Sequence, residues 1–360
     1  SLVRKSLERG KLRASTKPEK ADAHIIAVPT PFKNKHIPDT SYIKAAAHSI
    51  APILDKGNTV ILESTSPVGT TKNLAKWLQK DRPDLTFPTF GSRSEIDVFI
   101  SYSPERVLPG NILFELVNNE RVIGGLTSCC GEKAASLYRI FSAGNCLLTD
   151  AYTAELVKLA ENAYRDVNIA FANELSLVCD KLGMNVWEVI KLANHHPRVN
   201  ILNPGPGVGG HCIAVDPWFI ADSAPDETAL IQMARQVNDK KPNFIVKKIM
   251  SAAEKNNIDT IICLGLAYKA NIDDLRESPS VKVVKKLSKK FKGRILVVEP
   301  NINSLPKDLS DNPKINLVNN ENFLDDDGII VLLTDHREFQ DINIKQLADR
   351  HVIDTRGVWA

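Results

Sequence analysis

Apolar positions fall into two registers along the chain. Short, nearly unbroken apolar runs at residues 24–28, 59–63, 99–102 and 121–123 predict strands, and three- and four-residue spacing at 42–54 and 71–78 predicts helices between the first of them. Strands alternating with helices indicate βαβ units and a parallel sheet. The strongest helical signal spans residues 151–182, where Leu156, Leu159, Ala163, Val167, Ala170, Phe171 and Leu175 recur on one stripe and Gly183 offers a C-cap. At 1.5 Å per residue such a helix reaches about 45 Å, enough to join two domains and to form a subunit interface. Residues 186–193 predict a second helix, and 227–253 one or two more with Pro242 as the break. Alternation then resumes, with buried parallel strands at 260–264, 294–298 and 328–333 and a helix at 280–289. The expected architecture is α/β: two parallel-sheet domains, at 1–150 and 254–360, joined by a long helix and a helical middle at 151–253, the first sheet domain being incomplete.

Composition narrows the class. Of 360 residues, 43% are hydrophobic and 25% charged, as in a folded globular chain. Lys+Arg minus Asp+Glu is 46 − 43 = +3, so no strong basic field suggests nucleic acid. The longest apolar stretches, such as 329–333, fall far short of the roughly 20 residues that cross a bilayer. The first twenty residues are basic and polar, without the apolar run of a secretory signal, and a cytoplasmic setting is expected. Membrane, fibrous and disordered classes are excluded. The six cysteines, Cys129, Cys130, Cys146, Cys179, Cys212 and Cys263, form no C-x-x-C pair. A disulfide framework is not expected, so each thiol serves packing or chemistry.

Sheets of this kind bind ligands at the carboxyl ends of their strands. Here those ends run into Pro29-Thr30-Pro31 and Ser64-Thr65. The usual opening of a dinucleotide domain is missing: no G-x-G-x-x-G follows an early strand, and no acid closes a second strand after it. The pattern does occur at Gly205, Gly207 and Gly210, but without a preceding strand, with Pro204 and Pro206 inside it, and running into His211-Cys212. It is rejected as a phosphate fingerprint. Its glycines are expected to let the backbone pass close to a ligand or to Cys212.

Cys212 is the sharpest chemical candidate. It lies in Gly209-Gly210-His211-Cys212-Ile213-Ala214-Val215-Asp216-Pro217, a loop rather than a periodic apolar segment. A nucleophilic thiol needs access and a nearby cation or backbone donors; the competing reading is a small residue buried in a tight turn. Lys158 and Asn162 lie four apart on the long helix, hence on one face, where together they can hold an oxyanion or a water. A solvated lysine beside a helix-face asparagine is the bland alternative. Glu105 follows a strand end as a candidate base, or else a surface acid paired with arginine. Thr65 is placed similarly, with turn capping as its alternative. His195, His196 and His211 share no ligand spacing with a carboxylate, and no metal is expected. Cys129-Cys130, just before a helix, reads as packing.

Six stretches together resemble the UDP-glucose/GDP-mannose dehydrogenase family: Val28-Pro29-Thr30-Pro31, residues 63–70 (Glu-Ser-Thr-Ser-Pro-Val-Gly-Thr), Ser103-Pro104-Glu105-Arg106, Lys158-x-x-x-Asn162, Gly209-Gly210-His211-Cys212 and Gly265-Leu266-Ala267-Tyr268-Lys269. They stand in family order and span nearly the whole chain. The runs 196–202 and 212–219 are most like the branch acting on UDP-N-acetyl-D-mannosamine, with UDP-glucose and UDP-N-acetylglucosamine as rival substrates. The resemblance implies two Rossmann-like domains and oxidation of a sugar-nucleotide C6 alcohol to a carboxylate with NAD as cofactor. By it Cys212 is the nucleophile and Lys158 and Asn162 stabilise the C6 oxygen. Asp216 positions water or Lys158, and Glu105 and Thr65 complete the water and proton arrangement. Arg198 (from a neighbouring subunit), Asn200, Gly209, Lys269 and Arg276 belong to the substrate site, and Val28, Pro29, Thr30, Ser64 and Thr65 to the cofactor site. The partners implied are a UDP-sugar and a second copy joined through the long helix, with no nucleic acid or membrane. The family's opening strand, glycine fingerprint and ribose acid are expected before Ser1, about 60 residues in all. The chain as given is therefore expected to bind NAD⁺ poorly and to be inactive unless that segment is supplied. An inactive chain that still dimerises and binds a UDP-sugar is the reading from a different class.

Overall fold

The computed structural model describes residues 2–33, 36–90, 95–107, 111–318 and 323–360; Ser1, where the sequence begins, lies outside them. Two compact units are present: Ser1–Ala160 with Trp218–Ser223, and Glu161–Pro217 with Ala224–Ala360.

The first unit carries a five-stranded sheet in the order β1-β2-β3-β4-β5 (Ala23–Ile26, Thr59–Leu62, Phe99–Tyr102, Arg121–Gly125, Cys146–Asp150). The first three strands and the β4–β5 pair are parallel, whereas β3 and β4 run antiparallel through Ser101–Gly125 and Tyr102–Gly124. The expected parallel sheet thus carries one antiparallel junction, which doubly wound folds accommodate. Helices α1 (Leu2–Glu8), α2 (Ser41–Ile50), α3 (Thr70–Asp81), α4 (Ile112–Asn118) and α5 (Ser128–Tyr138) complete the connections. Strand β2 is buried throughout because both faces are covered. Val60 and Leu62 join Ile43, Ala47, Leu74 and Leu78 of α2 and α3, while Ile61 joins Ala134, Ala135 and Tyr138 of α5. Period-2 alternation along the apolar run 60–62 therefore feeds two cores. Cys130 is buried, its sulfur accepting the Ile100 N–H at 3.3 Å, but Cys129 is exposed rather than packed.

Helix α6 (Ala151–Leu182) has the predicted limits; Gly183, at φ +69°, ends it in the left-handed conformation that glycine adopts freely. The chain continues with α7 (Val186–Ala193), an irregular segment, α8 (Asp216–Ser223), most of which belongs to the first unit, and α9 (Ala229–Asn256) in the second. One correction arises here: the segment ending in Asp216-Pro217 was expected to stay a loop, but these residues begin a helix, with proline where its missing N–H costs no intrahelical bond. Of the one or two helices expected at 227–253 a single one forms, since α9 runs through Pro242 and gives up one internal hydrogen bond.

The second sheet is wholly parallel, in the order β10-β9-β6-β7-β8 (His351–Asp354, Ile329–Leu332, Thr260–Leu264, Arg294–Val298, Ile315–Leu317). Helix α10 (Pro279–Lys290) follows β6 and is capped by Ser278, whose hydroxyl accepts the N–H groups of Ser280 and Val281. The order of strand succession reverses at β6, with β7 and β8 added on one side and β9 and β10 on the other. The crevice between β6 and β9 is the switch point where such sheets hold ligands. There Gly265 (φ +92°) passes so close to Thr334 that a Cβ would lie 2.4 Å from the threonine Cβ. Among the described residues no helix is long and apolar enough to cross a membrane.

Candidate active site

The turn that carries Cys212 is built in the second unit. Gly210 donates its N–H to the Arg276 carbonyl (3.2 Å), and the Cys212 carbonyl accepts the N–H groups of Val215 and Asp216 (both 2.9 Å), so the chain curls directly into α8. Cys212 is exposed and Asp216 buried. Asp216 Oδ2 accepts the side-chain amide of Asn162 at 2.6 Å, a bond spanning 54 positions of sequence. Cys212, Asp216 and Asn162 are thereby brought together, and Lys158 lies one turn before Asn162 on the same face of α6.

Arg276 supplies the local positive charge. Its guanidinium holds the Asp274 carboxylate through two parallel bonds, Nε–Oδ1 at 2.9 Å and Nη2–Oδ2 at 2.6 Å. Bonding to Asp274 raises the Arg276 pKa, and the charge of Cys212 adds to the rise. Burial, followed by the charge of Arg276, pushes the His211 pKa down. Burial, then Asp274 and Cys212, pushes Tyr268 up. These four side chains and Asp274 thus share one field, in which a thiolate is favoured by the guanidinium. Lys269 is exposed beside Tyr268; Gly209 passes so close that a Cβ would lie 2.7 Å from the Pro279 ring and 2.8 Å from Tyr268. The glycines at 205–210 therefore give close passage to this chain's own side chains. Arg198 and Asn200 are exposed on the stretch after α7, which Asn194 pins by bonding both the N–H (2.7 Å) and the carbonyl (3.0 Å) of Ile201.

In the first unit the ends of β1 and β2 are stitched together. Val28 donates its N–H to Ser64 Oγ, which donates to the Val28 carbonyl (each 2.7 Å), and the Thr30 hydroxyl donates to the Thr65 carbonyl (2.7 Å). Pro29 is exposed between them. The rim so formed offers neutral hydroxyl and peptide groups, and the hydroxyl of Ser66 is buried without a hydrogen-bond partner among the described residues. That donor set suits the carboxamide and ribose hydroxyls of NAD at strand carboxyl ends. Glu105 lies 3.6 Å from the Arg121 guanidinium and accepts the Arg106 N–H at 2.7 Å. Sequence alone missed its neighbours. Glu63, directly at the end of β2, accepts the Tyr138 hydroxyl at 3.2 Å, and burial with the nearby Glu105 charge pushes its pKa up. Burial and Glu63 push Tyr138 up in turn, while Arg121 lies over the Tyr138 ring at 4.6 Å. An acid closing an apolar strand was the available signal.

Two Rossmann-like sheet domains and a helical central domain, with a cysteine turn beside an arginine and a hydroxyl rim at strand ends, define an NAD-dependent dehydrogenase of nucleotide sugars. Three family models match in succession: the NAD-binding domain at residues 1–142, the central domain at 152–240 and the UDP-binding domain at 262–360. The chain belongs to the UDP-glucose/GDP-mannose dehydrogenase family. It is 55% identical over 359 residues to an NDP-N-acetyl-D-galactosaminuronic acid dehydrogenase of Ralstonia nicotianae, covering 100% of this chain and 84% of that protein. Identity to the UDP-N-acetyl-D-mannosamine dehydrogenase of Escherichia coli K12 is 52% over 367 residues, covering 100% and 87%. Among solved structures, the Pyrococcus horikoshii UDP-D-ManNAc dehydrogenase superposes with a TM-score of 0.84 at 37% identity, covering 99% of this chain and 83% of that one.

Proposed function

We propose that this chain oxidises the C6 alcohol of UDP-N-acetyl-D-mannosamine to the carboxylate through a covalent intermediate on Cys212. NAD⁺, held by Val28, Pro29, Thr30, Ser64 and Thr65, supplies the hydride acceptor for both oxidations. At the aldehyde stage the Cys212 sulfur bonds to C6, and its proton passes to the former carbonyl oxygen. Loss of hydride and of that proton leaves a thioester. Water then attacks C6, the C–S bond breaks, and the thiol is restored beside the acid product. Lys158 and Asn162 stabilise the negative oxygen at C6, Asp216 orients Lys158 or water, and Glu105 and Thr65 manage the attacking water and its proton. Lys269, Arg276, Gly209 and Asn200 hold the sugar nucleotide, with Arg198 contributed to the site of a second copy. Residues 1–150 form the cofactor domain, 151–253 the central domain and 254–360 the nucleotide-sugar domain.

The observation that carries this reading is the buried bond from Asn162 to Asp216, four residues past Cys212. It joins the helix face bearing Lys158 to the start of α8 and leaves the thiol exposed at the turn between them. The sugar is chosen on the Escherichia coli and Pyrococcus horikoshii relatives; the Ralstonia relative makes the galacto epimer the alternative. The test follows NADH at 340 nm on UDP-N-acetylmannosamine, UDP-N-acetylgalactosamine, UDP-N-acetylglucosamine and UDP-glucose, with Cys212→Ala alongside. Fastest turnover on another sugar reassigns the substrate, and acid product from Cys212→Ala removes the covalent step.

A further inference from the structure

The turn that presents Cys212 ends a stretch, residues 203–212, without regular secondary structure. Its geometry must come from outside it, and α6 and α9 supply two holds. The first is a relay of buried amides. Asn173 Oδ1 accepts the Gly205 N–H at 2.9 Å, which leaves the Asn173 amide to donate to Asn238 Oδ1, also at 2.9 Å. Asn238 in turn donates to Asp166, at 2.8 Å to the carboxylate and 3.1 Å to the carbonyl, and Arg235 donates to the same carboxylate oxygen at 2.6 Å. The donor and acceptor roles are consistent along the relay, so both amide orientations are fixed.

The second hold is a notch. Pro242 has no N–H, so the Asn238 carbonyl one turn earlier lacks its intrahelical donor. Gly207, at φ +144°, sits in that notch, where a Cβ would lie 3.0 Å from Pro279, 3.2 Å from the Asn238 oxygen and 3.4 Å from the Pro242 ring. The same asparagine thus meets the loop twice, through its carbonyl at Gly207 and through Asn173 at Gly205. Two apolar side chains could join α6 to α9 without burying polar groups. They could not satisfy the Gly205 N–H, and that requirement explains the amides.

We infer that Asn173 and Asn238 are positioning residues for Cys212, fixing through Gly205 and the Pro242 notch where the thiol stands. The inference rests on Cys212 being the nucleophile. The test compares Asn173→Ala, Asn238→Ala and Pro242→Ala with Val283→Ala, a cavity in the buried core of the second sheet that softens the unit elsewhere. Iodoacetamide labelling of Cys212 is read by peptide mass spectrometry against exposed Cys129 as internal reference, together with kcat and KM. Displacement by an ångström should cut kcat about tenfold or more, leave the sugar-nucleotide KM within about threefold and change the Cys212:Cys129 labelling ratio about threefold. Pro242→Ala separates positioning from stability: alanine suits the helix and restores the donor to Asn238, so the fold is kept while the notch closes. Wild-type kcat and labelling ratio in folded Asn173→Ala and Pro242→Ala would overturn the inference, as would an equal change in Val283→Ala. Turnover by Cys212→Ala would instead refute the nucleophile itself.

Discussion

Glu155 closes the N-terminus of α3 through Thr71: its Oε1 accepts both the backbone N–H and the hydroxyl of that residue, at 2.7 and 2.6 Å. Its other oxygen accepts the Gly69 N–H at 2.5 Å. Glycine at the cap position has no side chain to offer, so a carboxylate from α6 supplies the missing acceptors. Because Glu155 precedes Lys158 by one turn, the same contact ties that lysine's helix to the loop leading from Thr65. Glu155→Gln would turn an amide NH₂ toward a backbone donor, and we expect a loss of about 1–3 kcal/mol. The urea unfolding midpoint measures it, and an unchanged midpoint would show that the carboxylate is dispensable.

Arg276 gives a prediction about the thiol. Its charge and that of Cys212 act on each other, so the cation favours thiolate. Arg276→Ala removes it and leaves the Asp274 carboxylate unpaired beside the turn, both of which raise the thiol pKa. The pH profile of Cys212 alkylation should therefore move to higher pH, and Arg276→Lys should restore part of the shift. Movement to lower pH would contradict the assigned neighbourhood.

The strands at 99–102, 260–264 and 294–298 were legible because both of their faces are buried, so the apolar run has the length of the element. Strand β5 was not: it is an edge strand with Leu147 and Leu148 exposed, and carries no inward pattern. Helix α8 was hidden because Asp-Pro reads equally as a turn and as a helix start. Cys212 stood out by lying off any periodic pattern. Its bond-linked surroundings did not, because Asn162–Asp216 and Asn173–Asn238 are partnerships across 54 and 65 positions. One asparagine on a helix face has the same local appearance whether it faces water or a buried amide.

Lys241 makes stability depend on pH. Among the described residues its ammonium bonds neutral oxygens, Ser176 Oγ and the Asn173 carbonyl (3.4 Å). Burial pulls its pKa down to about 8, the Lys248 charge adding to the shift. Below that value the amine is protonated in both folded and unfolded chains, and the folded one carries the full cost of a buried charge. Between about 8 and the unfolded value near 10.4 only the unfolded chain still binds the proton, so stability rises with pH, by up to about 1.4 kcal/mol per unit. Lys241→Met should lack this rise and be the more stable below pH 8. Parallel urea titrations from pH 7 to 10 would show it as a difference that shrinks with pH, and a constant difference would refute it.

The outer face of α6 in the second unit argues for a second copy. Tyr164, Phe171 and Val178 recur every seven residues, Leu182 follows one turn later, and their exposures are 68%, 56%, 48% and 65%. Seven residues are nearly two helical turns, so these side chains form one apolar stripe, as at a helix–helix seam. A twofold axis beside such a stripe brings it against its own copy, so one substitution acts twice at the interface. Phe171→Glu would oppose two carboxylates in an apolar seam, and we expect a homodimer to become a monomer of unchanged helical content. If Arg198 serves the neighbouring site, turnover should fall with dimer content and recover as protein concentration rises. Light scattering after size exclusion, with activity followed across a dilution series, tests both. A variant that keeps the dimer mass would place the interface elsewhere, and a folded monomer with full turnover would return Arg198 to its own subunit.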